Sequence, residues 1–119
     1  MAALVEPTIE RWFTPGFRET APAELDRVRD MIRATSVDGY IGCARALQRL
    51  DYLPRLGAIT VPTRFIVGKQ DGGAPPEVMR EMHEAIAHSS FVEIDPAGHL
   101  SNIENPAAFL DALQSFLPG

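Results

Sequence analysis

The sequence predicts an α/β fold in which a helical segment precedes a parallel strand layer. Three observations predict it. The first 56 or so residues show helical apolar spacing three times and no alternating run, while two short β-rich segments, Arg64–Val67 and Phe91–Ile94, follow later. Segments of helical period stand between and after those two runs. Strand, helix, strand and helix in succession argue a parallel layer with right-handed crossovers.

Thr8–Phe13 reads as a short helix, with Thr8 as N-cap and Ile9, Trp12 and Phe13 on one face; Thr14-Pro15-Gly16 ends it. Pro22 opens a second helix carrying Leu25, Val28, Met31 and Ile32 inward, with Glu24, Asp26, Arg27, Arg29 and Asp30 on the wet side. Thr35-Ser36 breaks or caps the chain before a third helix from Val37, whose apolar residues are Tyr40, Ile41, Ala44 and Leu47, with Cys43 and Leu50 on an adjoining stripe. Pro54 and Gly57 close the helical region. Val61-Pro62-Thr63 is an extended lead-in, because a residue before proline is pushed out of the α region. Thr63–Val67 is apolar on both faces, as an interior parallel strand should be. Gly68 to Pro76 is a loop, and a helix then runs from Pro76 to about Ala87 with Val78, Met79, Met82 and Ile86 inward. After the strand Phe91–Ile94, the last helix has Asn105 as N-cap, Pro106 at its first position and Phe109, Leu110, Leu113, Phe116 and Leu117 as a broad apolar stripe.

Composition bounds the function. With 45% hydrophobic and 23% charged residues the chain is ordinary globular material, though small for an α/β enzyme. A net charge of −5 without a basic cluster argues against a nucleic-acid partner. The lone Cys43 cannot form an internal disulfide, and no Cys/His grouping has metal-ligand spacing. No apolar run approaches the ~20 residues of a membrane span. Met1–Val5 lacks the basic start of a secretion signal, so no membrane partner is expected and a cytoplasmic location is.

Two side chains carry chemistry. Asp71 stands just beyond the first strand and His99 just beyond the second, and the carboxyl ends of parallel strands border the crevice where sites form. A carboxylate beside a histidine accepts the proton of one ring nitrogen and stabilises the imidazolium formed at the other. Asp followed by histidine is also the later part of the order Ser, Asp, His. Each has a plainer reading: Asp71-Gly72 is a hairpin signal, and His99 fits a loop histidine bonded to a carbonyl. The helical period after Asp71 speaks against the hairpin. His83 and His88 read as structural. Arg11 reads as a surface cation, and Trp12 and Phe13 as core residues.

Gly68-Lys69-Gln70-Asp71 after a buried strand, with Asp95-Pro96-Ala97-Gly98-His99-Leu100-Ser101-Asn102-Ile103-Glu104-Asn105-Pro106, resembles the carboxyl-terminal part of an α/β-hydrolase. The run Gly98–Glu104 followed by proline is similar to the ending of 3-oxoadipate enol-lactonases. Arg11–Arg18 and Thr35–Cys43 resemble that family's helical cap. The resemblance implies a partial α/β-hydrolase fold, with residues 1–56 a helical cap segment and 57–119 the part of the core that carries the acid and histidine loops. It implies Asp71 and His99 as catalytic residues, Trp12 at the substrate chamber, a small lactone or ester as substrate, and no cofactor. The activity implied is hydrolysis of an enol-lactone to 3-oxoadipate in aromatic-compound catabolism.

The family's nucleophile elbow, Gly-x-Ser-x-Gly, is absent from these 119 residues: Ser36, Ser89, Ser90, Ser101 and Ser115 all lack the flanking glycines. Cys43 lacks the elbow as well and reads as a buried structural cysteine. The expectation is therefore the second half of a serine hydrolase, inactive alone. Two alternatives stand beside it: a non-catalytic module whose open sheet edge pairs with an amino-terminal half or with itself, and a truncated relic that keeps its acid and base by descent.

Overall fold

The computed structural model describes residues 1–117. A 3₁₀ turn at Ala2–Leu4 leads into α1 (Val5–Trp12), which starts before Thr8 because Pro7 falls in its first turn. Backbone N–H groups there have no acceptor within the helix, so proline removes nothing. Thr14-Pro15-Gly16 ends α1 as predicted and also starts an unpredicted helix, α2 (Pro15–Thr20). Thr14 caps that helix by accepting the Phe17 N–H at 3.4 Å, and Pro15 takes its first position.

Helix α3 (Pro22–Ala34) buries Leu25, Val28 and Ile32 against Val5, Ile9 and Phe13, and these six residues form the core of the helical region. Met31, predicted with them, is 68% exposed, because it lies on the edge of the stripe rather than along it. Outside that core Arg29 bridges α1 and α3 through Glu6 at 2.9 Å and also reaches Asp26 at 3.0 Å.

Helix α4 (Val37–Leu47) has the predicted cap, Ser36 accepting from the Gly39 N–H at 3.3 Å, yet it buries no residue. Tyr40, Ile41 and Leu47 are exposed, and so is Cys43, which corrects the expectation of a buried cysteine. Helical period establishes that a face is apolar; a neighbour is needed to cover it.

A 3₁₀ segment, Leu53–Ala58, precedes β1 (Thr63–Gly68). Helix α5 (Pro76–Glu84) crosses to β2 (Ser89–Ile94), which pairs parallel with β1 in the register Thr63↔Ser89 through Gly68↔Ile94, so both strands end level. Phe65, Val67, Ile86 and Ile94 are buried around this sheet, whereas Val78, predicted inward on α5, is 47% exposed. An unpredicted short helix, α6 (Ser101–Glu104), follows the histidine loop. At the start of α7 (Pro106–Gln114) Asn105 accepts from the Ala108 N–H at 3.3 Å as expected, but Ala112 is the buried residue of the helix, while Leu110 and, beyond the helix end, Leu117 are exposed. Arg64 of β1 ties α7 to the sheet: its Nη1 donates to the Ala112 carbonyl and to Ser115 Oγ, each at 2.6 Å.

Candidate active site

The level strand ends bring two loops together. Lys69 N donates to the Ile94 carbonyl and Gln70 N to the Ala97 carbonyl, both at 2.9 Å, while Gln70 Oε1 accepts from Ala97 N at 2.8 Å. The loops fit closely only because glycine stands at Gly68, where an added Cβ would run into the Ala97 and Gly98 carbonyl groups. The Asp95–Pro96 peptide is cis.

Asp71 is buried and uses both oxygens. Oδ1 accepts the Gly73 N–H at 2.7 Å and the Ala74 N–H at 3.0 Å, and Oδ2 lies 2.9 Å from His99 Nδ1. Turn former and partner of histidine are thus one residue in two roles; no hairpin forms, since β1 and β2 run parallel. A carboxylate only accepts, so the shared proton sits on Nδ1 and the lone pair of the neutral ring is on Nε2. The His99 side chain is 35% exposed against 6% for Asp71, which leaves the ring reachable while its partner is sheltered.

The helical region holds the other side of the histidine. His99 N donates to the Trp12 carbonyl at 2.7 Å, and the Trp12 ring stands 5.7 Å from the His99 ring at a tilt of 33°. Asp71, His99 and Trp12 are therefore brought together. Arg11 is exposed at a small cavity it shares with Trp12 and Tyr40. His83 sits apart, its Nδ1 2.6 Å from Ser89 Oγ and its ring between Phe65 and Phe91, while His88 is exposed. Both fit the structural reading.

Beside the site, Asp95 accepts from Gln70 Nε2 at 2.8 Å and from Lys69 Nζ at 2.7 Å. The amide and then the ammonium hold its carboxyl below the usual range, and Asp95 in turn raises the lysine. Among the described residues no group of three or more His, Cys, Asp or Glu is placed to hold a metal ion. None of their serines nor Cys43 is hydrogen-bonded to His99.

Sequence reasoning missed Glu104. Its Oε1 accepts from Thr14 N at 3.1 Å and from the Thr14 hydroxyl, and its Oε2 accepts from Gly98 N at 2.8 Å. No local signal marks it: its partner Thr14 stands 90 residues away in sequence, and the four-residue helix α6 that ends on Glu104 is too short to show a period.

Helices α5 and α7 packed on a parallel strand pair, with a carboxylate and a histidine at the strand ends, fit an α/β-hydrolase, and comparison with known proteins shows the class: residues 19–106 match the α/β-hydrolase fold family, to which this chain belongs. It is 32% identical over 117 residues to 3-oxoadipate enol-lactonase 2 of Acinetobacter baylyi, an alignment covering 98% of this chain and 43% of that protein. The crystal structure of the enol-lactonase from Burkholderia xenovorans LB400 superposes with a TM-score of 0.94 at 37% identity, over 98% of this chain and 44% of that one. A thermophilic esterase from Thermogutta terrifontis follows with 0.88 at 31% identity, over 95% and 42%. The chain spans less than half the length of each of these relatives.

Proposed function

We propose that Asp71 and His99 are the acid and base of a serine hydrolase similar to 3-oxoadipate enol-lactonase, whose nucleophile lies outside these 119 residues. The contact that carries this reading is the 2.9 Å pairing of buried Asp71 Oδ2 with Nδ1 of the more exposed His99. In the complete enzyme a serine hydroxyl attacks the lactone carbonyl and His99 Nε2 takes its proton. Asp71 stabilises the imidazolium, and the ring oxygen leaves as an enol carrying that proton. Water, deprotonated by His99 in turn, releases the acid and frees the serine. Residues 1–56 serve as the cap over this site, Trp12 lines the substrate chamber, and residues 57–119 supply the core's acid and histidine loops. The substrate is an enol-lactone of a dicarboxylic acid, opened to 3-oxoadipate in aromatic-compound catabolism, and the setting is the cytoplasm. The short two-stranded sheet and the uncovered apolar residues of α4 support the need for a completing segment.

The test is reconstitution. The chain is co-expressed with the amino-terminal portion of an enol-lactonase bearing Gly-x-Ser-x-Gly, and enol-lactone hydrolysis is followed. Activity is expected from the pair and from neither part alone, and Asp71→Asn should lower it by roughly 10⁴-fold, the loss seen when a triad carboxylate is neutralised. Activity from the chain by itself, or a reconstituted pair indifferent to His99→Ala, overturns the reading.

A further inference from the structure

We propose that Glu104 is a positioning residue for His99: its carboxylate ties the histidine loop to the α1–α2 junction and so sets the ring against Asp71. The inference rests on His99 being the base of the site, but its geometry stands apart from any activity. Glu104 is half-buried and each of its oxygens faces a donor on a different segment, Thr14 for Oε1 and Gly98 for Oε2, with Thr14 N also 3.4 Å from Oε2. Thr14 is two residues beyond Trp12, and Gly98 immediately precedes His99. The same two segments also meet directly, through His99 N and the Trp12 carbonyl at 2.7 Å, and they meet where Gly98 has no side chain; a Cβ there would collide with that carbonyl.

The ring of His99 thus has two constraints that act on different ends. Asp71 orients Nδ1, while the backbone that carries the ring is held between the Trp12 carbonyl and the Glu104 carboxylate. The Thr14 and Gly98 backbone N–H groups, aimed at opposite oxygens of Glu104, can only donate, so only a group that accepts on both oxygens satisfies them. Glutamine has one accepting oxygen and one donating nitrogen. In Glu104→Gln, either the Thr14 N–H or the Gly98 N–H therefore faces a donor, and one side of the tie opens.

Nitrogen-15 spectra of the histidine rings in the 119-residue chain, taken at about pH 8.5 where ordinary imidazole is neutral, read the consequence directly. In the wild type the His99 proton resides on Nδ1. Glu104→Gln should lose or broaden that signal and mix the two tautomers. The His83 ring, whose Nδ1 is held by Ser89, should not change. A His99 signal that survives intact in a variant with a lowered melting temperature overturns the proposal, because Glu104 is then merely a structural tie. Equal loss at His83 and His99 overturns it too, since the disturbance is then general. Should Glu104→Gln not fold, Thr14→Ala removes one donor and should move the His99 signal less, and an unmoved His99 there also refutes the role. A displaced His99 combined with failed reconstitution would count against the proposed activity and leave the positioning role standing.

Discussion

Helices α3 and α4 are built from the same kinds of signal and end in opposite situations. Each opens on a recognised start, Pro22 for α3 and Ser36 for α4, and each repeats apolar residues at helical spacing. Yet α3 seals Leu25, Val28 and Ile32 against α1, while α4 seals nothing and leaves Tyr40, Ile41 and Leu47 exposed. The difference lies outside either helix: α1 packs closely on α3, whereas among the described residues nothing packs on α4 closely enough to bury one of its residues. Amphipathic period specifies an element and its direction of burial, while the stabilisation comes from whatever stands on that side.

Paired truncations break the comparison most directly. Leu25 is 1% exposed, and Leu25→Ala should cost roughly 2–5 kcal/mol, the transfer free energy of the lost atoms plus the cavity they leave. Leu47 is 66% exposed, and Leu47→Ala should fall within about ±0.5 kcal/mol. Urea unfolding of the 119-residue chain measures both. A cost for Leu47→Ala that matches Leu25→Ala would mean that α4 is covered in solution, by a second copy for instance, and concentration dependence would then appear.

Two glycines sharpen the same contrast at smaller size. In Gly98→Ala the new methyl group meets the Trp12 carbonyl, so backbone must shift where the helical region grips the histidine loop, at a cost of about 1–3 kcal/mol. In Gly42→Ala, within α4, nothing lies within 4 Å of the added carbon, and the helix should gain about 0.5–1 kcal/mol from the lost freedom of glycine. Opposite signs in thermal melts would show that the gripped loop is rigid and α4 open; equal signs would remove the distinction.

The same split separates what could be read in the sequence from what could not. Both strands, their parallel direction, the caps Ser36 and Asn105 and the placement of Asp71 near His99 were legible, because each depends on local pattern or on a short crossover. Helix α2 was hidden because the residues that stop α1 also start it, and α6 because four residues are too few to show a period. The exposure of Cys43, Met31 and Val78 was illegible for another reason: burial belongs to the neighbour as much as to the residue. Glu104 was hidden too. Gly98 is near it in sequence but Thr14 is 90 residues away, and only the fold brings both to one carboxylate.

The smallest expected effect lies on the rim of the same loop cluster and has its own sign. Asp95 is held below its ordinary value of 3.8 by Gln70 and then Lys69, so its contribution to stability is present above that value and is lost as pH falls through the lowered one. Lys69 is raised above its ordinary 10.5, so its share is present below that value and lost as pH rises through the raised one. Both side chains are about half exposed, so salt should screen the pair as well. Asp95→Asn should therefore melt slightly below the wild type at pH 7, with the gap closing in acid and shrinking at high salt. A gap that persists in acid would show that the lost interaction is the neutral hydrogen bond from Gln70, and the tie between the two loops would then rest on geometry rather than on charge.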